Sequence, residues 1–372
     1  METANLDLER QEEAKRYARL QRRMMLADLL LSILYILVWF IPGLSTALKQ
    51  SLLRITSNQL LLVALYGAIF GGLYLLLNIP LSYYEGFTLP HRFNMSNQPV
   101  KGWVSEQIKG LIVSGILGLV VLEIIYALLR SNPQTWWLWV AAILLLFSVL
   151  LANLAPVLLM PLFNKFSPLA EEYANLAERL LRLSARAGTK VQGVFQFDMS
   201  KQTNAANAAL TGLGNTRRII LGDTLLKEFT PDEIETVLAH ELGHHVHRDV
   251  PLLIGMQSIL TLIGLYLASF GLSWGVAWAG FQGVADIAAL PVFILVMGAY
   301  GLVTMPLTNT ITRWRERLAD VYALQLTGNN TAFASALTRL ANQNLAEADP
   351  EPWVEFLLYS HPPLSKRIAM TK

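Results

Sequence analysis

The sequence predicts a mainly α-helical, polytopic membrane protein with about six crossing helices, and two observations carry that reading. Residues of the set Ala, Val, Ile, Leu, Met, Phe, Trp, Tyr and Cys make up 53% of the 372, charged residues only 15%, and mean hydropathy is +0.42. A soluble domain carries about 25% charge, so this chain lacks the polar residues to coat a water-exposed surface of its size. The second observation is a set of six apolar runs of about 18 residues or more, each long enough to cross a bilayer as a helix. With no cysteine, disulfide frameworks, thiolate metal sites and thiol catalysis are excluded. A net charge of +2 is too balanced for nucleic-acid binding.

The first run, Met24–Gly43, contains one acid, Asp28. It is longer than the apolar core of a signal peptide and no A-x-A site follows it, so it reads as a span. Leu60–Leu77 and Trp136–Phe163 contain no acid, and Gly110–Leu129 contains only Glu123, which either lines an internal chamber or belongs to a buried pair. Trp136, Trp137 and Trp139 read as an interfacial belt. Leu252–Ser273 and Ile287–Leu307 are free of charge, and the link between them, Trp274–Asp286, is too short for a domain. Arg10, Lys15, Arg16, Arg19, Arg22 and Arg23 precede the first span, and Lys165, Arg248, Arg313, Arg315 and Arg317 flank later spans on the same side. The alternate loops carry only Lys49, Arg54 and Arg130. Under the positive-inside rule both termini and the large loop after the fourth span are cytoplasmic. The organisation expected is an amphipathic arm (1–23), four spans (24–163), a polar segment (164–251), two spans (252–307) and a second polar segment (308–372).

In the first polar segment, Glu171–Arg186 repeats leucine and alanine at helical spacing, whereas Lys190–Phe197 and Arg218–Leu221 read as short strands. Gly212-Leu213-Gly214 completes no phosphate-binding pattern and reads as a turn. Thr230-Pro231-Asp232-Glu233 is a capping box with proline at the first helical position, so a helix starts there. On that helix stands His240-Glu241-Leu242-Gly243-His244, an H-E-x-x-H. His240 and His244 share one face and present two imidazoles to one tetrahedral metal, while Glu241 is offset by about 100°, within reach of a metal-activated water.

Zinc in such a site takes three protein ligands and keeps a fourth position open. His247 shares the face but lies seven residues from His240, too far along one straight helix to close on the same ion. The extended pattern H-E-x-x-H-x-x-G-x-x-H fails because Val250 occupies its last position. The better third ligand is Glu316 in Arg315-Glu316-Arg317-Leu318-Ala319-Asp320. Asp320, one turn on, is placed to accept a hydrogen bond from a ligating imidazole.

These residues resemble the integral-membrane zinc proteases that include the type I CAAX prenyl proteases. The likeness covers nearly the whole chain: Pro80–Asn94 (PLSYYEGFTLPHRFN), Pro161–Leu169 (PLFNKFSPL), Asn207-Ala208, Arg218–Leu221, Asp223–Leu226, His361-Pro362-Pro363-Leu364 and Arg367 match the family's segments around the zinc motif. Two departures stand out. Met1–Arg23 is a charged arm where eukaryotic members have a further span, and their N-A-Y is Asn207-Ala208-Ala209 here. The shorter HtpX-type proteases, which share the zinc site, are the second-best relatives.

The resemblance implies a zincin-like cytoplasmic catalytic domain with a small β element, one zinc ion per chain, and helices enclosing an intramembrane chamber. It implies Glu241 as the general base and His361 as a donor to the oxyanion. It also implies Asn207-Ala208 on an exposed strand edge that holds the substrate. Arg367 either anchors a substrate carboxylate or pairs with an acid of the fold. The partners expected are a peptide or lipidated peptide and the bilayer, acting on a monomer. Removal of the C-terminal tripeptide of prenylated CaaX proteins is the leading activity, and turnover of unprenylated membrane proteins the alternative. From another class, a transporter or scaffold with structural zinc would need a fourth ligand, for which only His247 or His361 offers itself.

Overall fold

The computed structural model describes residues 6–40, 43–212 and 217–371, so Leu213 and Gly214 of the expected turn lie outside the described residues. Among the described residues, six helices are long and apolar enough to cross a membrane. The first, α1 (Leu8–Phe40), joins the charged arm and the first span in one unbroken helix. A short α2 (Leu44–Leu53) follows. Then α3 (Gln59–Tyr83) starts where Asn58 Oδ1 accepts from the Leu60 and Leu61 amides, and runs through a π turn (Tyr84–Thr88) into α4 (Leu89–Arg92). The third and fourth spans are α5 (Val100–Ser131) and α6 (Trp136–Leu154). The latter continues through a second π turn (Ala155–Leu159) into α7 (Met160–Phe163).

Asp28 in the first span is paired, whereas the buried carboxylate oxygens of Glu123 in the third have no hydrogen-bond partner among the described residues, so the buried pair is not found. Tyr74 and Asn78 donate to Asp28 at 2.9 and 2.6 Å, joining α1 to α3, as a charge in lipid requires. Near the far end of the bundle Lys49 meets Asp286 at 2.9 Å, both side chains largely buried. Tyr35, Trp39, Tyr66, Phe70, Tyr126 and Trp136 form the aromatic centre of the helical core.

The water-facing part begins with β1 (Phe166–Pro168) and α8 (Ala174–Arg186). Next come β2 (Val194–Phe197), β3 (Ala208–Thr211), β4 (Arg218–Gly222), α9 (Asp223–Glu228) and α10 (Pro231–Val246). The strands form one sheet in the order β1-β2-β4-β3, with β2 and β4 parallel and the other pairs antiparallel. The two strands expected from apolar runs are β2 and β4. Three-residue β1 was missed because it is too short to show alternation. Leu180, Leu183, Ile219, Leu221, Leu225, Ile234, Leu238 and Leu242 bury the sheet against α8 and α10.

The chain re-enters the membrane as α11 (Asp249–Ala279), returns in α12 (Leu290–Thr327), and closes with α13 (Asn330–Gln343), α14 (Pro352–Leu358) and α15 (Leu364–Ala369). α12 does not stop where charge reappears after Leu307. It runs on to Gly328, whose φ of 63° supplies the left-handed turn that ends it. The last span and the Glu316–Asp320 pair therefore share one rigid rod. The arm of α1 is also anchored: Gln11 exchanges hydrogen bonds with Ala346 and Ala348, and Arg22 pairs with Glu347 at 2.8 Å.

The expected capping box is present, with Thr230 and Glu233 bonded reciprocally. Glu233 goes further, accepting from Ser335 at 2.6 Å and Arg339 at 2.8 Å, so it joins the start of α10 to α13. Burial alone raises its carboxyl pKa, but hydrogen bonds from Ser335, Thr230 and Arg339 outweigh this and hold it below the ordinary 4.5. A lowered folded value stabilises the fold above the unfolded pKa, and that stabilisation is lost as pH falls through the folded value. Glu233→Gln is therefore expected to cost about 1–2 kcal/mol at pH 7. Its deficit against the parent should shrink below pH 4.5. Denaturation of detergent-solubilised protein across pH checks this, and a deficit independent of pH would contradict it.

Candidate active site

The site forms where α10 crosses α12. At Gly243 a Cβ would stand 2.9 Å from Ala319 Cα, closer than real Cβ contacts allow, so glycine lets the two backbones touch. That approach sets the H-E-x-x-H beside Glu316 and Asp320. His240 Nε2 and His244 Nε2 lie 3.1 Å apart, and each is 3.3 Å from a Glu316 carboxylate oxygen. Nitrogens bonded to one tetrahedral zinc at about 2.0–2.1 Å stand roughly 3.3 Å apart, so the three side chains are already spaced as ligands. Their donor atoms all fall within 4.8 Å of one another. Glu316 Oε2 is buried without a hydrogen-bond partner among the described residues, an orphan that a cation would satisfy.

Each imidazole is held from behind. His240 Nδ1 donates to Asp320 Oδ1 at 2.8 Å, and Asp320, fully buried, receives a two-pronged grip from Arg367 at 2.6 and 2.8 Å. His244 Nδ1 donates to Asp249 Oδ2 at 2.7 Å. Asp249 Oδ1 accepts from Arg315 Nε at 2.6 Å. With Nδ1 bonded to its aspartate, each Nε2 is the ring atom that faces the site, where it could bind a metal once deprotonated. Burial alone lowers the pKa of His240, but the Asp320 and Glu316 carboxylates facing it outweigh this and carry the imidazole up to about 9. Burial also lowers that of His244, against which the Glu316 hydrogen bond prevails and raises it. The pocket favours added positive charge, as a metal site does.

Glu241 follows His240 on α10 and is partly buried. Burial raises its pKa, against the attraction of His240 and His244. His361, on the loop before α15, brings Nε2 to 3.4 Å from Glu316 Oε1, while 60% of its side chain is open to solvent. Loss of hydration on the partly covered ring lowers its pKa foremost, against the pull of Glu316. Ser360 Oγ lies 2.9 Å from its Nδ1. His247 does not join the cluster. It closes α10 and stands edge-on to Tyr322 at 5.8 Å between ring centroids. β3 occupies the sheet edge, bonded on one side to β4, with the Asn207 carbonyl accepting from Gly222 N at 2.9 Å. Sequence reading missed Asp249 and Arg315. Their signal was an aspartate five residues after His244 and an arginine beside Glu316, each unremarkable alone.

Comparison with known proteins places the chain in a family. Residues 170–372 match the model "Peptidase family M48", and residues 3–165 match "CAAX prenyl protease N-terminal, five membrane helices". Within residues 3–165, the described part carries four helices long enough to cross, and α2 is a shorter fifth. The metalloprotease YhfN of Bacillus subtilis is 30% identical over 79% of this chain and 69% of its own length. CAAX prenyl protease 1 of Saccharomyces cerevisiae is 30% identical over 79% of this chain and 68% of its own. The crystal structure of Ste24p from S. mikatae superposes with a TM-score of 0.88 at 24% identity, covering all of this chain and 92% of that one.

The chain thus belongs to peptidase family M48. It is an integral, multi-pass membrane metalloprotease, related to the CAAX prenyl proteases.

The close approach generates a test. Gly243→Ala places a methyl against Ala319 backbone and must part the helices by a few tenths of an ångström. Such overpacking costs about 1–3 kcal/mol of stability. Divalent-metal affinity, read by chelator competition, should fall at least about tenfold because the candidate ligands sit on opposite sides of that contact. Unchanged affinity would show that the contact does not set ligand spacing.

Proposed function

We propose that this protein is a zinc endopeptidase in which His240, His244 and Glu316 hold the metal and Glu241 is the general base. The observation that carries the proposal is the convergence of two imidazoles and one carboxylate from α10 and α12, segments separated in sequence by a membrane-crossing helix. A zinc ion held there supplies Lewis acidity, polarising the scissile carbonyl and acidifying a water.

The chain's own groups do the remaining work. The Glu241 carboxylate accepts the proton of the attacking water and returns it to the leaving amine nitrogen. Its raised pKa brings it nearer the working pH than an ordinary glutamate. His361 is neutral near pH 7 given its lowered pKa. With Nδ1 facing Ser360, its Nε2–H can donate to the oxyanion. The outer edge of β3, with Asn207 and Ala208 at its start, holds an extended substrate by main-chain hydrogen bonds. Asp320 and Arg367 orient His240. The two-pronged pairing of Arg367 with Asp320 supports that role over capture of a substrate carboxylate.

The Lys/Arg asymmetry of the loops supports a cytoplasmic catalytic side and cytoplasmic termini. The substrates proposed are prenylated peptides ending in CaaX, from which the C-terminal tripeptide is released. The yeast, rice and Arabidopsis relatives named CAAX prenyl protease 1 or its homologue support this reading.

Purified protein is expected to carry about one zinc per chain. Glu241→Gln should retain it and lose turnover by orders of magnitude, whereas a structural zinc site would leave function intact. Glu316→Ala should weaken zinc far beyond the ~10–100-fold typical of outer hydrogen-bond partners, Asp320→Ala should fall within that range, and His247→Ala should barely matter. A titration in which His247→Ala loses zinc and Glu316→Ala keeps it would overturn the ligand assignment.

The substrate is tested by mass spectrometry of products from a farnesylated CaaX peptide and an unprenylated control. Preference for the farnesylated peptide is expected. Equal cleavage of both would assign the enzyme to general membrane-protein turnover.

A further inference from the structure

We infer that Asp249 and Arg315 are positioning residues for the metal site, a second aspartate–arginine clamp that sets both the His244 imidazole and the rotation of α12 about its axis. The inference deepens the zinc reading and rests on His244 and Glu316 being ligands. Four observations carry it.

The first is chemical symmetry. His240 is backed by Asp320, which Arg367 grips; His244 is backed by Asp249, which Arg315 grips. The two aspartates come from different helices, α12 and α11, so the pairs are not one local motif repeated. Asp249 divides its oxygens, one to the imidazole and one to the guanidinium. The side chain therefore cannot turn toward either partner without abandoning the other.

The second is burial. Asp249 is 2% exposed and Arg315 7% exposed. A buried ion pair is weak evidence for stability, since desolvation offsets much of its attraction. Its value here is directional. Asp249 accepts from the Arg315 guanidinium through Oδ1 and from His244 Nδ1–H through Oδ2, which leaves Nε2 as the ring atom that faces the site.

The third is where Arg315 sits. It directly precedes Glu316 on α12, and successive helix positions point about 100° apart. Anchoring Arg315 to Asp249, and to the His247 carbonyl at 2.9 Å, fixes the angle at which Glu316 is presented. One side chain thereby connects the end of α10, the start of α11 and the ligand-bearing stretch of α12.

The fourth is backbone strain at the same junction. Arg248, the single residue between the His247 cap and Asp249, has φ of 55° in the left-handed region that disfavours side chains. Such a conformation persists where surrounding contacts over-determine it, and the Arg315 bonds to His247 and Asp249 do so from both sides.

The test uses the full-length protein in detergent and measures zinc affinity by chelator competition, the visible spectrum of the cobalt-loaded protein, and kcat and KM separately. Asp249→Ala is expected to weaken zinc about 10–100-fold, to shift the cobalt bands, and to lower kcat more than it raises KM. Asp249→Asn keeps the size and an acceptor for Nδ1–H but lacks the charge, so it should fall between Asp249→Ala and the parent. Arg315→Lys should recover part of what Arg315→Ala loses. The double variant Asp249→Ala with Arg315→Ala should lose less zinc affinity than the product of the single losses, because both act through one clamp.

Asp249→Asn and Arg315→Lys, the same size or charge as the parent residues, decide the matter if the alanine variants do not fold. The inference is overturned if Asp249→Asn and Arg315→Lys both bind zinc within twofold of the parent with unshifted cobalt bands, while His244→Ala and Glu316→Ala lose the metal. If His244→Ala itself keeps zinc, the ligand assignment falls, and this inference with it.

Discussion

The crossing of α10 and α12 at Gly243 and Ala319 is the constraint on which the rest of this protein depends. Two helices normally pack 8–10 Å apart, with side chains between their axes. Here a missing Cβ on one and a methyl on the other let the backbones close up. The space above and below that contact is just wide enough for imidazoles from one helix to meet carboxylates from the other. His240 and His244 lie a residue or three to either side of Gly243, and Glu316 and Asp320 straddle Ala319 in the same way. The contact acts as a fulcrum, and the donor atoms inherit its spacing.

Around the fulcrum the protein concentrates charge in a small volume: Glu241, Asp249, Glu316 and Asp320 against Arg315, Arg367 and two imidazoles. Buried charge is costly unless paired and hydrogen-bonded. The aspartates and arginines meet that condition with each other, which leaves the Nε2 atoms and the Glu316 carboxylate facing inward. The raised pKa of His240 expresses the same imbalance, since the site draws a proton where a metal ion would otherwise supply the charge. A division of labour results. The outer ion pairs hold geometry, and the inner donors are left for chemistry.

The membrane enters this arrangement through α11 and α12. Asp249 opens one spanning helix and Glu316 lies on the continuation of the other. The depth and rotation of these helices in the bilayer are thus coupled to the candidate metal-binding residues by covalent continuity. The water-facing part never forms a contiguous stretch of chain. It is assembled from segments on either side of two spans, plus the arm of α1 that Arg22 and Gln11 attach to the 346–348 turn.

Much of this was legible in the sequence because the signals are local. Spans are visible as length and hydropathy, since backbone in lipid must satisfy itself within a helix. The start of α10 is visible because Thr230 and Glu233 are three residues apart and bond to each other. The pairing of His240 with His244 follows from helical pitch alone, and Glu316 with Asp320 from the same pitch. Other features were not legible, because they join residues far apart in the chain. That Gly243 is a helix contact rather than a spacer became clear only beside Ala319. The partnership of Asp249 with both His244 and Arg315 spans 66 residues and a membrane helix, so no spacing rule reveals it. Arg367, with two roles open in sequence, is committed to Asp320 by a pairing 47 residues long in chain terms. The sequence by itself determined which residues can bind a metal and which segments cross the bilayer, because both are properties of a single helix. Only the tertiary structure decided which charges neutralise which, because burial and long-range approach set electrostatic partners and both belong to the folded chain.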